Sequence, residues 1–508
     1  MTHPVAPRPL SYDLAIVGGG INGAGIAADA ARRGLKVFLC EQADFAAATS
    51  SASSKLVHGG LRYLEHYEFR LVREALAERE VLLHMAPHLV RPQRFVMPHA
   101  PHLRPAWMIR CGLFLYDHLG KRTTLPASRG MQVDAEPTLR AALRDEFRTA
   151  FEYSDCTVDD ARLVIANLLA ARRHGADVVN RTRCEQATAT GDRWQLQLRG
   201  PDGEYAVEAR ALVNAAGPWA QQFLEQAAQQ PSPYQVRLVQ GSHIVLPRLH
   251  DDPRAFIVQN ADRRIVFVIP WLDFTVIGTT DREYTGNPSD VRITDEETDY
   301  LIDVANRHLR RNISRADILS TWSGVRPLCD DESGDPAAVT RDYTLSLSTA
   351  AGAPLLTVFG GKLTTYRRLA LSAMARLAPF FPTATALPPD VLPGGDLGGA
   401  TPAGWAAALT AEFPWLPPAL AARWTAAYGC RTRELIGNAR SLAALGECFG
   451  HDLYAREAEF LCDTEWAVDS ADILWRRSKL GMYLDAQGQA ALARWLDARQ
   501  DRPQQSAA

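Results

Sequence analysis

The feature of the sequence that most constrains the fold is a glycine-rich turn close to the N-terminus. Leu14–Val17 is a short apolar run typical of a buried parallel strand, a small-residue helix is predicted over Ala24–Arg33, and a second apolar run follows at Lys36–Cys40. Between the first run and the helix, a G-x-G-x-x-G spacing is provided by Gly18, Gly20 and Gly23. Such glycines permit a tight turn, a close approach of the backbone to a pyrophosphate, and close packing of helix on strand. The pattern predicts a Rossmann-like unit that binds a dinucleotide at the N-terminus of the helix.

An acidic residue at the end of the second strand narrows the choice of nucleotide. Glu41 lies 18 residues after Gly23, where a carboxylate can accept hydrogen bonds from the hydroxyls of an adenosine ribose. A carboxylate at this point favours a free 2′-hydroxyl. We therefore expect FAD or NAD rather than NADP.

The length and charge of the chain exclude several classes of protein. At 508 residues it is too long for a single hydrophobic core, so two or three domains are expected. With 55 Lys and Arg against 58 Asp and Glu, the net charge is −3, which gives no support for nucleic-acid binding. The eight cysteines are scattered and contain no C-x-x-C pair, so we expect reduced packing residues and neither a disulfide framework nor a metal site.

The order of the predicted elements indicates how the domains are arranged. Short β-rich runs between about residues 235 and 345 predict an antiparallel sheet, interleaved with a nucleotide-binding domain that occupies residues 1–385. Residues 386–404 are dense in proline and glycine and are predicted to form a linker. Residues 405–508 contain Ala- and Leu-rich stretches with helical spacing, which predicts a separate all-α domain.

One segment is unusually apolar for a surface. Ala106–Tyr116 is apolar except for one arginine, is flanked by cations, and is too short to span a bilayer. Two interpretations stay open: a buried core helix, or a helix that dips into one leaflet of a membrane, where aromatic and cationic side chains are favoured. In the second, apolar contact would come from Trp107, Ile109, Leu113 and Phe114. Neither a secretory signal nor a transmembrane helix is expected, because the N-terminus has no apolar h-region and the chain has no run of about 18 apolar residues.

Further polar and glycine-rich segments provide candidate ligand-binding groups. Thr49–Tyr63 combines serine hydroxyls with two glycines and Arg62, although a solvated loop is the simpler interpretation of its composition. Gly360–Thr365 is a second glycine-rich helix start, whose free N–H groups can stabilise negative charge on a reduced flavin. Arg326 and Arg341 lie in short polar segments, where guanidinium groups can bind phosphate bidentately, although a single arginine is more often a surface ion-pair partner.

These segments together resemble the FAD-dependent, quinone-linked glycerol-3-phosphate dehydrogenases of the bacterial aerobic type. The matching stretches run in the family order from residue 14 to about residue 368 and include GGGINGAGIAADAARRGL, TSSASSKLVHGGLRYLEHYEFRLV, VNAAGPW, QGSHIVLP, IGTTD, SGVRPLCDDES, TRDYTL and VFGGKLTTYR. The resemblance implies an α/β fold in which a Rossmann-like FAD-binding domain is interleaved with an antiparallel-sheet substrate domain, as in D-amino-acid oxidase, with a C-terminal all-α domain.

The resemblance also implies which residues bind the cofactor, which is FAD in this family. The residues expected to line FAD are Gly18, Gly20, Gly23, Glu41, Thr49, Ser50, Ser53, Ser54, Lys55, Ala216, Gly217, Gly361, Lys362, Leu363 and Thr364. No departure from the family pattern is found in these motifs.

The reaction of the family assigns roles to the remaining polar residues. It oxidises sn-glycerol 3-phosphate to dihydroxyacetone phosphate by hydride transfer from C2 to FAD and passes the electrons to membrane quinone. The expected phosphate ligands and their helpers are Arg326, Arg341, Arg62 and Tyr63. The base that removes the hydroxyl proton is expected to be His243 first and His58 second, because an imidazole titrates near neutral pH. Lys362 is a candidate to pair with developing charge on the substrate or the flavin.

The resemblance also bears on the location of the protein, on two alternative functions and on its partners. A quinone acceptor implies peripheral attachment to the inner face of the cytoplasmic membrane, which favours the leaflet-dipping interpretation of the apolar segment. An oxygen-using glycerol-3-phosphate oxidase and a non-catalytic membrane flavoprotein stay open as alternatives. A homodimer is also left open, and no nucleic acid is expected as a partner.

Overall fold

The structure, a computed structural model, describes residues 10–100, 104–120, 124–260, 262, 264–329 and 343–500. Within these ranges the chain folds around two sheets and a C-terminal group of helices. The strands of the first sheet, in spatial order, are β17 (Thr344–Ser348), β18 (Leu355–Phe359), β10 (Gly203–Asn214), β1 (Leu10–Val17), β2 (Val37–Cys40) and β7 (Asp177–Val179), with β9 (Arg193–Gly200) and β8 (Arg183–Thr190) added beside β10.

The first sheet contains the predicted Rossmann-like unit. β18, β10, β1, β2 and β7 run parallel, and helix α1 (Ile21–Arg32) connects β1 to β2. One face of the sheet packs on α1, α5 (Asp160–Arg173) and α8 (Tyr366–Leu377), with Leu14 and Ile16 fully buried between them. The carboxyl ends of these five parallel strands therefore meet at one edge, where α/β folds bind their ligands.

The second sheet lies beyond that edge. Its strands, in spatial order, are β15 (Arg282–Glu283), β11 (Val236–Pro247), β14 (Phe274–Gly278), β13 (Ile265–Trp271), β12 (Ala255–Gln259), β4 (Val90–His99), β6 (Thr149–Val158) and β3 (Leu56–Val57), with β16 (Ser320–Cys329) beside β11 and β5 (Arg129–Gln132) beside β6. All these neighbours are antiparallel except β4 and β12. The sheet is wider than the range of 235–345 suggested, because it also takes β3 to β6, whereas β17 belongs to the first sheet.

Several helices surround the two sheets. They are α2 (Phe69–Met85), α3 (Ala106–Leu119), α4 (Pro137–Ala142), α6 (Ala220–Gln222) and α7 (Asp295–His308). Thr294 is the N-cap of helix α7 and forms a capping box with Glu297. The helix covers the outer face of the second sheet through Leu301 and Val304.

The C-terminal helical region, residues 402–500, has its own core. Its helices are α9 (Pro402–Glu412), α10 (Pro418–Tyr428), α11 (Thr432–Ile436), α12 (Ala455–Glu465) and α13 (Ala486–Gln500), with a π-helical turn at Asp472–Arg477. Trp424 and Leu461 lie at the centre of that core. The preceding proline- and glycine-rich segment is packed against the rest of the protein, since Leu392 is buried and donates an N–H hydrogen bond of 2.9 Å to Met85 O.

Helix α3 corresponds to the apolar segment, and its two faces differ. Leu113 and Tyr116 are buried, whereas Trp107 and Phe114 expose 66% and 60% of their surface and Leu115 is also exposed. The expectation that Leu113 is an apolar contact residue at the surface is therefore wrong, because it packs in the core beside Leu76 and Phe95. Among the described residues, no helix has the length and apolar character needed to cross a membrane.

Candidate active site

A cavity of about 1270 Å³ lies between the carboxyl edge of the first sheet and the second sheet. The loops that follow β1, β2, β10 and β18 form one wall, and β16 and Trp271 of β13 form the opposite wall. Of the predicted cofactor residues, those that line it are Gly18, Gly20, Glu41, Thr49, Ser50, Lys55, Ala216, Gly217 and Gly361. Its size is ample for a dinucleotide, since ligand pockets commonly measure about 300–1000 Å³.

The glycine turn has no room for larger residues. Gly18 has φ +116°, and a Cβ atom there would lie 2.3 Å from Ala215 O. A Cβ atom on Gly23, which lies outside the cavity wall, would lie 1.9 Å from Gly18 O, so this glycine allows α1 to pack on β1. Gly20 is the N-cap of α1 and provides no side-chain cap, while Ile21 N–H donates to Ser50 Oγ at 3.0 Å. The helix N-terminus thus faces the cavity and fits a pyrophosphate.

Glu41 is held at the end of β2 by backbone groups. Gly19 N–H donates to Glu41 Oε2 at 2.7 Å, and Ala43 N–H donates to Oε1 at 2.9 Å. Burial raises the pKa of Glu41, and these two N–H groups oppose that rise. Because each carboxylate oxygen has a further lone pair, Glu41 can still accept hydrogen bonds from ribose hydroxyls.

The serine loop, residues 49–55, divides its side chains between the cavity and the protein interior. Ser53 Oγ and Lys55 Nζ both donate to the fully buried Asp160, at 2.7 Å and 3.0 Å from its carboxylate oxygens. Lys55 Nζ also lies 4.7 Å from the ring centroid of Trp322. Ser53 and Ser54 are not among the described residues that line the cavity, so any effect of theirs on FAD passes through the shape of the loop.

His243, in β11, is buried between Ser54 and Trp322. Its Nε2 lies 2.8 Å from Ser54 Oγ, its ring stacks on Trp322 with 5.2 Å between centroids, and its Nδ1 has no hydrogen-bond partner among the described residues. Burial, together with the charges of Lys55 and Arg326, lowers the pKa of His243 to about 3. The imidazole is therefore neutral, which is the form that accepts a proton.

Arg326, in β16, lies two strand positions from Gly324, which is paired with Gly241 of β11. Its Nη2 donates to Thr280 O at 2.9 Å and lies 2.7 Å from Asp281 Oδ1. A Cβ atom on Gly241 would lie 2.6 Å from that nitrogen, so glycine is needed for the guanidinium to take this position. Arg341 lies outside the described residues.

A buried carboxylate that the sequence did not single out positions Arg326 indirectly, through Thr280. Glu297 accepts hydrogen bonds from Thr280 Oγ1 at 2.5 Å, Ser242 Oγ at 2.9 Å and Gln240 Nε2 at 2.7 Å. It thereby fixes Thr280, whose carbonyl binds Arg326. The sequence signal was a helix N-cap, Thr294 with Glu297 three residues later, which predicts a helix start and says nothing of the site.

A second cluster is formed where two segments meet: one follows β3 and carries His58, Arg62 and Tyr63, and the other follows β18 and carries Lys362, Leu363 and Thr364. His58 N–H donates to Thr364 Oγ1 at 3.2 Å, and Lys362 Nζ lies 4.1 Å from the centroid of the Tyr63 ring. Burial lowers the pKa of His58; Asp155 opposes this and Lys362 adds to it. Neither Arg62 nor Lys362 has a carboxylate partner within the described ranges, so both cations are available to an anionic ligand.

The two clusters are connected across the second sheet through β13 and β14. The ring of His58 is 6.1 Å from that of Phe267, Phe267 pairs with Gly278, and Gly278 pairs with His243. Two neutral imidazoles and several cations are thus grouped beside the cavity. The cations can bind a small anionic ligand, and a neutral imidazole can accept a proton from that ligand.

Residues from the C-terminal helical region also reach the cavity, which the sequence did not predict. They are Trp475, Arg476, Lys479 and Met482. Sequence patterns do not place these residues, because Asp44, which binds Arg476, lies more than 400 residues earlier in the chain.

Comparison with known proteins agrees with this geometry. The profile of the DAO family, described as FAD-dependent oxidoreductases, matches residues 13–367. The chain is 59% identical to the glycerol-3-phosphate dehydrogenase of Pseudomonas aeruginosa over 97% of this chain and 96% of the relative. It is 54% identical to the aerobic glycerol-3-phosphate dehydrogenase of Escherichia coli over 95% and 97%.

A solved structure shares the fold. The glycerol-3-phosphate dehydrogenase of Bacillus halodurans complexed with FAD is 25% identical, with a TM-score of 0.75, and the match covers 97% of this chain and 91% of that one. The cofactor expected from the glycine turn and the cavity is therefore FAD. The chain belongs to the FAD-dependent oxidoreductase family and, within it, groups with the glycerol-3-phosphate dehydrogenases.

Proposed function

We propose that this chain oxidises sn-glycerol 3-phosphate at C2 to dihydroxyacetone phosphate and passes the two electrons to a membrane quinone. The observation that carries the proposal is the grouping of His243 and Arg326 on neighbouring strands beside an FAD cavity. The names of relatives covering nearly the whole chain support the same substrate. Bound FAD supplies the acceptor for the hydride that leaves C2.

The protein's own residues bind the phosphate and remove the proton. Arg326 and Arg341 hold the phosphate dianion, with Arg62 and Tyr63 beside it. His243 accepts the hydroxyl proton as the hydride leaves, and His58 is the second candidate for this role. Because the charge of Arg326 lowers the pKa of His243, a phosphate dianion at Arg326 makes His243 more basic when substrate is bound. Lys362 pairs with the charge that develops on the substrate oxygen or on the flavin.

The test is reduction of the flavin without oxygen. Glycerol 3-phosphate should bleach the flavin absorption of the purified holoenzyme much faster than glycerol does, and a longer polyol phosphate shows how strictly the carbon chain is selected. No bleaching by any phosphate ester would exclude catalysis and leave a non-catalytic flavoprotein. Reoxidation by a quinone analogue, with little hydrogen peroxide in air, distinguishes a dehydrogenase from an oxidase.

The location follows from the acceptor. A quinone is lipid-soluble, so an enzyme that reduces it must work at a bilayer. We propose that the exposed face of α3, formed by Trp107, Phe114 and Leu115, attaches the protein peripherally to the inner face of the cytoplasmic membrane. Ile109 is half-buried and contributes less. A homodimer is compatible with this attachment.

The domain division that we propose follows the chemistry. Residues 1–385 contain the FAD and substrate sites, residues 386–404 connect them to the helices, and residues 405–508 form the C-terminal domain.

A further inference from the structure

A single aspartate joins the cofactor wall to the C-terminal helical region. Asp44 lies in the β2 loop, residues 41–48, which follows β2 and lines the cavity. Arg477 donates two hydrogen bonds to its carboxylate, at 2.6 Å and 2.8 Å, and Arg476 Nε donates a third. Arg477 is fully buried and Asp44 nearly so. The two ends of this contact are separated by 433 residues of chain.

The β2 loop is also the part of the wall that carries the ribose-binding carboxylate. Three residues before Asp44, Glu41 is bound to Gly19 N–H, and two residues after it, Ala46 N–H donates to Gly19 O at 3.1 Å. Phe45 lies against the glycine turn, since a Cβ atom on Gly19 would be 2.5 Å from its ring. Any displacement of Asp44 therefore moves groups that bind both the N–H and the carbonyl of Gly19 in the glycine turn.

The C-terminal helical region also contacts Phe45 and the residue that follows β7. The Phe45 ring meets Trp466 edge-on at 5.2 Å. Asn180, which follows β7, donates to Asp44 Oδ1 at 3.3 Å and to Trp466 O at 2.9 Å. The C-terminal residues thus hold the loop through charge and aromatic contact, and Asn180 links Asp44 to the backbone of Trp466.

The charges at this contact are fixed. Burial by itself would raise the pKa of Asp44, but the hydrogen bonds and charges of Arg477 and Arg476 hold it at about 2. Arg476 also bonds Asp472 Oδ1 at 2.5 Å, and its side chain lines the cavity. Burying the carboxylate of Asp44 and the guanidinium groups of Arg476 and Arg477 is costly unless they stay paired, so the three side chains are held in one arrangement.

We propose that the C-terminal helical region is part of the FAD-binding site: through Arg476 and Arg477 it holds the β2 loop in the conformation that retains FAD. Arg477 is a positioning residue, because it acts on the nucleotide through Asp44. The proposal depends on FAD being the cofactor and is independent of the substrate.

The chain provides a matched control for general docking of the two parts. Arg162, at the start of α5, is also a buried arginine that crosses to the C-terminal helical region, where it is paired with Glu465. It binds no residue of the β2 loop, and Glu465 keeps Arg431 as a partner, at 2.5 Å, when Arg162 is replaced. Arg162→Gln therefore weakens the same interface while the contact of Arg477 with Asp44 and the hydrogen bonds from Arg477 to the backbone carbonyl of Glu465 remain.

The experiment measures the rate at which FAD leaves the full-length holoenzyme after dilution into FAD-free buffer, followed by the rise of flavin fluorescence. Arg477→Gln should release FAD about 10–100-fold faster, because charge-assisted hydrogen bonds that hold the loop are lost. Arg162→Gln should stay within about threefold of the unmodified protein, because the contact of Arg477 with Asp44 is kept. Asp44→Glu, which restores the charge, should recover part of the retention lost in Asp44→Asn.

Two results would overturn the proposal. One is an unchanged release rate in Arg477→Gln; the other is an equal acceleration in Arg162→Gln, which would mean that only interface stability matters. If Arg477→Gln does not fold, Arg476→Gln takes its place, because that side chain is 16% exposed and lines the cavity. The same two criteria then apply to it.

Discussion

Ser54 Oγ lies 2.8 Å from His243 Nε2, so the loop that follows the nucleotide turn is joined directly to the imidazole of the second sheet. The partners are 189 residues apart in the chain. Because Lys55 and Ser53 of the same loop are bound to Asp160, the ring is held against a rigid support. The serine loop and the proposed base, His243, are thus positioned together.

The first prediction concerns proton removal. His243→Gln should slow reduction of the flavin by glycerol 3-phosphate by about 10²–10⁴-fold, the usual contribution of a positioned general base. Flavin content should stay unchanged, because His243 does not line the cavity. The measurement is stopped-flow reduction without oxygen. A nearly normal rate, together with a large loss in His58→Gln, would transfer the role to His58.

The second prediction concerns the phosphate. Arg326→Ala should lower kcat/KM for glycerol 3-phosphate by about 10–150-fold, since a charge-assisted hydrogen bond to a buried anion contributes about 1.5–3 kcal/mol. Lysine should restore only part of the activity, because it keeps the charge and loses the fork. Arg341→Ala should behave in the same way. Use of a non-phosphorylated polyol is the control, and an equal loss with both substrates would contradict a phosphate role.

Local parts of the site could be predicted from sequence, and distant contacts could not. Gly18 and Glu41 belong to one strand–helix–strand unit of about 25 residues, whose geometry follows from the spacing of glycines and apolar runs. The pairing of Asp44 with Arg477 depends on how two separately folded parts meet, and no periodicity encodes that. The number of strands in the second sheet could not be predicted for a related reason. An alternating pattern identifies a strand such as β4, but it does not show which sheet that strand joins.

The third prediction concerns Glu297. Glu297→Gln places an amide N–H group among hydrogen-bond donors, which disturbs Thr280 and, through its carbonyl, Arg326. KM for glycerol 3-phosphate should rise by about tenfold while kcat changes less, because the loss falls on substrate binding. The matched control is Asp295→Asn, an exposed acid in the first turn of the same helix. A loss confined to kcat would refute this route to Arg326.

The fourth prediction concerns pH and stability. Burial and the nearby Arg162, Arg91 and Arg431 lower the pKa of His88 to about 3, so the folded protein does not bind a proton there until the pH is very low. The unfolded chain does so below about pH 6.5, and stability is therefore lost as the pH falls through that value. Between about pH 7 and about pH 5.5, His88→Gln should lose about 1 kcal/mol less unfolding free energy than the unmodified protein. Urea denaturation at the two pH values measures this, and identical pH dependence would contradict it.

The fifth prediction concerns membrane attachment by α3. Replacing Trp107 and Phe114 by glutamate should move the protein from the membrane pellet to the soluble fraction, because charged side chains cannot enter the acyl region and both residues are exposed. Substrate should still reduce the flavin, since neither side chain lines the cavity. Leu319→Glu, at a leucine that is 53% exposed elsewhere on the surface, is the control and should remain on membranes. Leu113→Glu does not test attachment, because that side chain is in the core and its replacement unfolds the helix packing. If the doubly substituted protein stays with the membrane fraction, another surface attaches it and the exposed face of α3 has a different role.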